Sequence, residues 1–204
     1  MSPGSRALHT RRLVAKYTRW LHIYGSMASF AVVFFFAVTG LTLNHPQWFA
    51  SAQRTTALKG TLDAAWVAPA ADPTAKKFDI VEHLRAAHHL TGAVADFRAD
   101  DREVDVTFKG PGYSADVFID RATGAYDVTE NRMGLVAVLN DLHKGRDSGT
   151  PWRGLIDVSA ILLVFVSLTG LVLLWFLHKH RLAGALALVA GVILTWLVWQ
   201  VWVE

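Results

Sequence analysis

Three long stretches of uncharged residues constrain this chain more than any other feature. They run from Ile23 to Leu43, from Leu155 to Leu177 and from Leu182 to about Val203, and Asp157 is the only charged residue within them. A helix needs roughly 20 residues to cross a bilayer core about 30 Å thick. Each stretch meets that length, and 52% of the 204 residues are hydrophobic. The sequence therefore predicts a helical membrane protein with spans at 23–43, 155–177 and 182–203.

The first stretch also has features of a signal peptide, because basic residues precede it and Ala50-Ser51-Ala52 follows it. The apolar core of a signal peptide is normally about 7–15 residues long, and this stretch is longer. We therefore expect it to be retained as a span.

Basic residues mark one side of the membrane. Residues 1–22 and the turn 178–181 contain Arg and Lys but no acid, whereas the loop 44–154 contains nearly all of the acids. Short basic flanks stay in the cytoplasm. This predicts a bacterial inner-membrane protein with a cytoplasmic N-terminus and a periplasmic loop. The net charge of +3 is explained by these basic cytoplasmic flanks, so it does not indicate nucleic-acid binding. The absence of cysteine excludes disulfides and iron–sulfur ligation.

The loop is predicted to contain a small α+β domain at about 78–130, inserted between the first two spans. Phe78, Val81 and Leu84 have helical spacing, and "AVADFRA", "EVDVTFKG" and "SADVFID" follow as strands, with turns at "GPGY" and "DRATG". The Ala-, Thr- and Pro-rich stretch 53–75 is interpreted as a linker.

These residues resemble a known family. The helix, the strands and the Asp-x-x-Thr-Gly turn resemble a PepSY module. The motif "LH", followed by an apolar run containing "TGL", occurs twice and resembles the PepSY-associated transmembrane family. The resemblance covers most of the chain. That wider family includes diheme reductases for ferric siderophores, so it implies haem b and iron reduction, although this chain has no flavin or nicotinamide domain.

Four histidines lie at the ends of the first two spans. Antiparallel packing predicts that His22 lies beside His178, and His45 beside His143. Each pair has the composition of a bis-imidazole haem site, which favours electron transfer because no coordination position stays open. The two sites would lie near opposite membrane faces, so each pair is a separate prediction and either can form without the other.

Three further residues are candidates for contact with a cofactor. Gly40 and Gly170, in the two Thr-Gly steps, would let a flat macrocycle approach the helix, but small residues serve helix–helix contact equally well. Arg153 would pair with a haem propionate or with Asp157. The alternative for the histidines themselves is that they are ordinary polar residues at the membrane surface.

The sequence thus predicts an inner-membrane haem b protein, with one or two haems, that passes electrons to a periplasmic acceptor such as a ferric siderophore. Its expected partners are membrane lipid, a separate electron donor, and a second copy of the chain that would cover the open side of the haem. The alternative is a haem-free anchor that presents the PepSY-like domain as a binding or regulatory module for an exported protein. No nucleotide-binding glycine motif or P-loop is present.

Overall fold

The computed structural model describes residues 3–68 and 70–203, with every side chain except those of residues 3–7, 50 and 51. In chain order the elements are α1 (Pro3–Asn44), a 3₁₀ helix (Pro46–Ala52), β1 (Arg54–Thr61), α2 (Ala64–Val67), α3 (Lys77–His88), β2 (Ala93–Ala99), β3 (Glu103–Gly110), β4 (Tyr113–Asp120), β5 (Ala125–Arg132), α4 (Leu135–Lys144), α5 (Gly149–Phe176) and α6 (Arg181–Trp202). They form two compact units. We call Phe34–Ile156 the α+β unit, and the described residues on either side of it the helical unit.

Three helices are long and apolar enough to cross a membrane: Leu8–Asn44, Gly149–Phe176 and Arg181–Trp202. The prediction of a helical membrane protein is confirmed. Helix α1 begins well before the predicted span because its basic first turns are also helical, and hydropathy identifies only the apolar part. It ends before Pro46, whose ring restricts the preceding residue and whose nitrogen has no proton to donate.

The strands form one antiparallel sheet in the order β1-β5-β4-β3-β2. The three predicted strands are confirmed as β2, β3 and β4, and the pairing of β3 with β4 is regular from Glu103–Asp120 to Gly110–Tyr113. The two turns predicted from "GPGY" and "DRATG" are present. Each needs a glycine with positive φ: Gly112 at +65° and Gly124 at +70°.

Helix α3 covers one face of the sheet. Ile80 and Leu84 are fully buried and Val81 is nearly so, against the inward side chains of β3, β4 and β5. The predicted helix is confirmed, but the expected inward position of Phe78 is wrong, because its side chain is 76% exposed. Ile80 takes that place.

The linker predicted at 53–75 is wrong. Its first part is β1, which pairs with β5 from Arg54–Arg132 to Thr61–Ala125. The domain therefore extends beyond the predicted limits of 78–130. Most residues of β1 are exposed because the strand lies at the sheet edge, so its sequence lacks the alternation that identifies a strand with one buried face.

A buried arginine fixes the rest of that stretch to the sheet. Arg121, 7% exposed, donates hydrogen bonds to the carbonyl oxygens of Val67 at 2.9 Å, Ala68 at 3.0 Å and Ala71 at 2.9 Å, and also to that of Asp100. The first three bonds hold the backbone at Val67, Ala68 and Ala71 to the turn after β4, and the carbonyl of Ala68 also accepts the N–H of Ala71 at 2.8 Å.

Two phenylalanines on adjacent strands provide a test of this fold. Phe108 faces α3 and is fully buried, whereas Phe118 lies on the opposite face and is 50% exposed. We expect Phe108→Ala to destabilise the α+β unit by about 3–5 kcal/mol, because it leaves a cavity. Phe118→Ala should cost less than about 1 kcal/mol. Urea-dependent proteolysis of the full chain in detergent measures both, and equal losses would contradict the assignment of the two faces.

Candidate functional site: two histidine–threonine contacts

In the helical unit, His22 of α1 contacts α5. Its Nδ1 lies 3.2 Å from the carbonyl oxygen of Val166 and 3.1 Å from Thr169 Oγ1. Gly170 allows this approach, since a Cβ at that position would lie 3.2 Å from His22 Cε1. The Thr-Gly step of α5 therefore contacts the imidazole through both of its residues.

These contacts fix the tautomer of His22. A carbonyl oxygen only accepts, so the proton is on Nδ1. Thr169 donates its own hydroxyl proton to the carbonyl of Val166 at 2.8 Å and accepts from the imidazole. In the neutral form of the ring, which has one N–H, Nε2 of His22 then carries the lone pair.

In the α+β unit, His143 makes the corresponding contact with α1. It lies in the last turn of α4, which ends where Gly145 adopts a φ of +66°. Its Nδ1 is 2.6 Å from Thr39 Oγ1, and its ring meets Phe36 edge-on with the centroids 4.9 Å apart. A Cβ on Gly40 would lie 3.6 Å from His143 Cε1.

His143 has the same tautomer as His22. The hydroxyl of Thr39 donates to the carbonyl of Phe35 at 2.6 Å, so it accepts the Nδ1 proton of His143. Nε2 is again left with a lone pair. The threonine itself is only 2% exposed, which makes this a shielded polar contact.

Two further hydrogen bonds position α4. Thr42 Oγ1 donates to Asn140 Oδ1 at 2.7 Å, and Trp152 Nε1 donates to the carbonyl of Leu142 at 2.7 Å. Because His143 follows Leu142 directly, both bonds help to hold its imidazole against α1.

The pKa of His143 is lowered from its usual value. Burial is the main cause, because it penalises the charged ring, and the positive charge of the neighbouring Lys144 adds to it. Neutral His143 is therefore the form that the fold favours, in agreement with the single proton deduced from its hydrogen bonds.

The structure does not bring His178 to His22. Arg11 donates from Nη2 to His178 Nε2 at 2.8 Å. Arg11 precedes His22 by eleven residues, which is about 16 Å along a helix. His178 therefore contacts α1 at the level of Arg11, whereas His22 lies about three turns further along the helix.

The predicted pair of His45 and His143 is also not formed among the described contacts. The ring of His45 stacks on Trp48, with centroids 4.1 Å apart and planes within 4°. His143 meets α1 at Thr39, six residues before His45.

A haem held between α1 and α5 by two imidazoles does not fit this arrangement. The helices touch directly in the helical unit, where a Cβ on Gly25 would lie 3.3 Å from Val166 Cγ2. Ser29 and Ser159 are 2% and 4% exposed. Among the described residues, no three His, Cys, Asp or Glu side chains are grouped to hold a metal ion. In their neutral forms His22 and His143 each have an Nε2 lone pair suited to one metal bond. The contacts given above for the described residues join neither ring to a second imidazole.

Arg153 packs against the turn that ends α4. Its Cγ lies 3.6 Å from the position of a Cβ on Gly145. None of the four ion pairs among the described residues includes it. Its expected contact with a haem propionate stays a prediction.

The sequence interpretation missed the threonines. Both Thr-Gly steps were noted for their glycines, whereas Thr39 and Thr169 supply the hydrogen-bond acceptors for the two imidazoles. The available signal was the repeated "TGL" itself, because a threonine beside glycine in a span is a polar group that needs a partner.

Removing one hydroxyl tests the contact. Thr39→Val keeps the shape but leaves the Nδ1 proton of His143 without its acceptor, which should destabilise the protein by about 1–3 kcal/mol. Thr195→Val is the matched control, because Thr195 is exposed and bonds only to the carbonyl of Gly191 in its own helix. Thermal unfolding in detergent measures both, and equal effects would contradict a special role for Thr39.

The lowered pKa of His143 gives a pH prediction. Its folded value lies below the unfolded value of about 6.5, so stability is complete above that pH. It is lost as the pH falls from there towards the folded value, because the unfolded chain then binds more protons. His143→Asn keeps an N–H donor but does not titrate. Wild type should therefore lose more thermal stability than His143→Asn between about pH 7.5 and about pH 5.5, and equal losses would contradict this.

Comparison with known proteins gives one match. The model of the family described as "Putative PepSY_TM-like" matches residues 16–204. No curated protein and no solved structure is significantly similar to the chain. Because the family match extends over both membrane helices of the histidine contacts and the whole α+β unit, the chain belongs to the PepSY_TM-like family.

Proposed function

We propose that this chain is a membrane anchor that presents its α+β unit as a binding domain for an exported protein. The basic residues near the start of α1 and in the turn before α6 favour a cytoplasmic location for both segments. The α+β unit then faces the periplasm, and the protein belongs to the bacterial inner membrane.

The uncovered face of the sheet supports this proposal. Helix α3 packs on one face only. The outward side chains of the opposite face are polar apart from Phe118 and three alanines (Ala57, Ala93 and Ala125), and none of them is buried. They include, on adjacent strands, Lys59, Asp127, Phe118, Asp105 and Arg98.

One shielded carboxylate oxygen, Oδ1 of Asp105, is the observation that carries the proposal. Its Oδ1 is shielded from solvent and has no hydrogen-bond partner among the described residues. The neighbouring Arg98 is paired with Asp96 at 2.7 Å. A shielded carboxylate oxygen without a donor is unfavourable, so a donor supplied by a bound partner would be stabilising. The face is suited to a protein segment with a cationic or N–H donor group.

The second candidate is the haem b electron carrier that the resemblance implies. The observation in its favour is that Nε2 of His22 and of His143 carries a lone pair while Nδ1 is held by threonine, as in oriented metal ligands. A bound haem would carry single electrons towards a periplasmic acceptor such as a ferric complex.

Site-specific photo-cross-linking tests the binding domain. A cross-linker at Thr129, on the uncovered face, should give an adduct of defined mass in intact cells, whereas one at the exposed Glu82 of α3 should not. Asp105→Asn should reduce the Thr129 adduct at least about tenfold, because one charged hydrogen bond contributes about 1.5–3 kcal/mol and about 1.4 kcal/mol is a factor of ten in affinity. Asp101→Asn, in an exposed turn, is the control and should leave it unchanged. No adduct at Thr129 would overturn the proposal.

An absorption spectrum separates the two candidates. Protein purified in detergent from cells supplied with haem should lack the bands of haem b. Reduced haem b bands that disappear in His22→Ala or His143→Ala, but persist in His89→Ala, would favour the electron carrier instead.

A further inference from the structure

A basic and aromatic stripe on α1 forms an open groove in the helical unit. The groove has a volume of about 470 Å³ and is lined by Arg12, Ala15, Lys16, Arg19, Trp20, Ile23 and Tyr24. Every one of these side chains except that of Ala15 is exposed. The two histidine contacts use none of them.

The three cations of the stripe point the same way. At about 100° per residue, Arg12, Lys16 and Arg19 fall within an arc of about 60°. Arg11, which binds His178, is turned by about 100° from Arg12. The stripe therefore does not share the direction of that contact and is open to the surroundings of the helix.

The positive charge of the stripe has no counterion within the described part of the chain. The first acid in the sequence is Asp63, so α1 contains none. The ion pairs among the described residues include neither Arg12 nor Lys16 nor Arg19. Three like charges on one helical face repel one another, and an anion placed among them would relieve that repulsion.

Apolar rings continue the stripe towards the middle of the span. Trp20 and Tyr24 are 55% and 59% exposed, with ring centroids 5.0 Å apart, and Ile23 beside them is 50% exposed. Trp20 lies about 12 Å along the helix from Arg12. Cations followed by rings match the order of a phospholipid, in which the phosphate comes first and the acyl chain lies deeper.

We propose that this stripe is a binding site for one anionic phospholipid of the surrounding bilayer. The phosphate lies among Arg12, Lys16 and Arg19, where guanidinium and ammonium groups donate charged hydrogen bonds. The acyl chain follows the exposed surface of Trp20 and Tyr24. The site is independent of the proposed function, because it uses no residue of the sheet or of the histidine contacts.

Native mass spectrometry of the full chain in detergent tests the site. Phosphatidylglycerol should remain bound to wild type, and phosphatidylcholine should not. The triple variant Arg12→Gln, Lys16→Gln, Arg19→Gln should bind phosphatidylglycerol at least about tenfold more weakly, because it removes all three charged donors to the phosphate; tenfold corresponds to about 1.4 kcal/mol. The control variant Arg54→Gln, Arg102→Gln, Lys109→Gln removes the same charge from exposed residues of the α+β unit and should bind like wild type.

Two further arms separate this site from simpler explanations. The double variant Trp20→Ala, Tyr24→Ala retains every charge and should also bind phosphatidylglycerol more weakly. Unchanged binding would mean that the attraction is purely electrostatic, and would overturn the proposal. Inorganic phosphate should not displace the lipid, and displacement would mean that the cations bind phosphate alone. Equal losses in the two triple variants would likewise overturn it.

Discussion

The hydrogen bond from an imidazole Nδ1 to a threonine hydroxyl is the interaction on which the described helix contacts depend. In an apolar environment an unpaired polar group costs several kcal/mol, so the donor must find an acceptor. Each threonine has already given its hydroxyl proton to its own helix and is available only as an acceptor. The bond therefore has one direction. It fixes the rotation of His22 on α1 against Thr169, and the position of α4 against Thr39.

The two contacts are reciprocal in sequence. The motif Leu-His followed by Thr-Gly-Leu occurs once from Leu21 to Leu41 and once from Leu142 to Leu171. The histidine of the first motif bonds to the threonine of the second, and the histidine of the second bonds to the threonine of the first. Each glycine allows the partner ring to approach its backbone. A repeated motif that resembles a cofactor signature therefore has a sufficient physical reason in helix packing.

The three spans were predicted from the length of their uncharged runs, and almost all of their side chains are exposed. Helix α3 and the strands β3 and β4 were predicted from side chains that alternate between buried and exposed positions. Strand β1 was not predicted, because an edge strand with little burial shows no alternation of buried and exposed side chains. The hydrogen-bond partners of the histidines were not predicted, for a different reason. Depth was inferred from the ends of the apolar runs, but the register of α1 on α5 depends on close contacts of small residues such as Gly25 and Gly170, which hydropathy does not encode.

The two candidate functions use different atoms of the protein. Binding of an exported protein depends on the uncovered sheet face around Asp105, whereas haem ligation depends on Nε2 of His22 and of His143. An imidazole held through Nδ1 is already oriented, so a metal at Nε2 would incur little further ordering cost. In the helical unit α1 and α5 are in close contact at Gly25 and Val166, and at His22 and Gly170. A haem inserted between the helices at these positions would break that packing, whereas binding at the sheet face requires no such rearrangement.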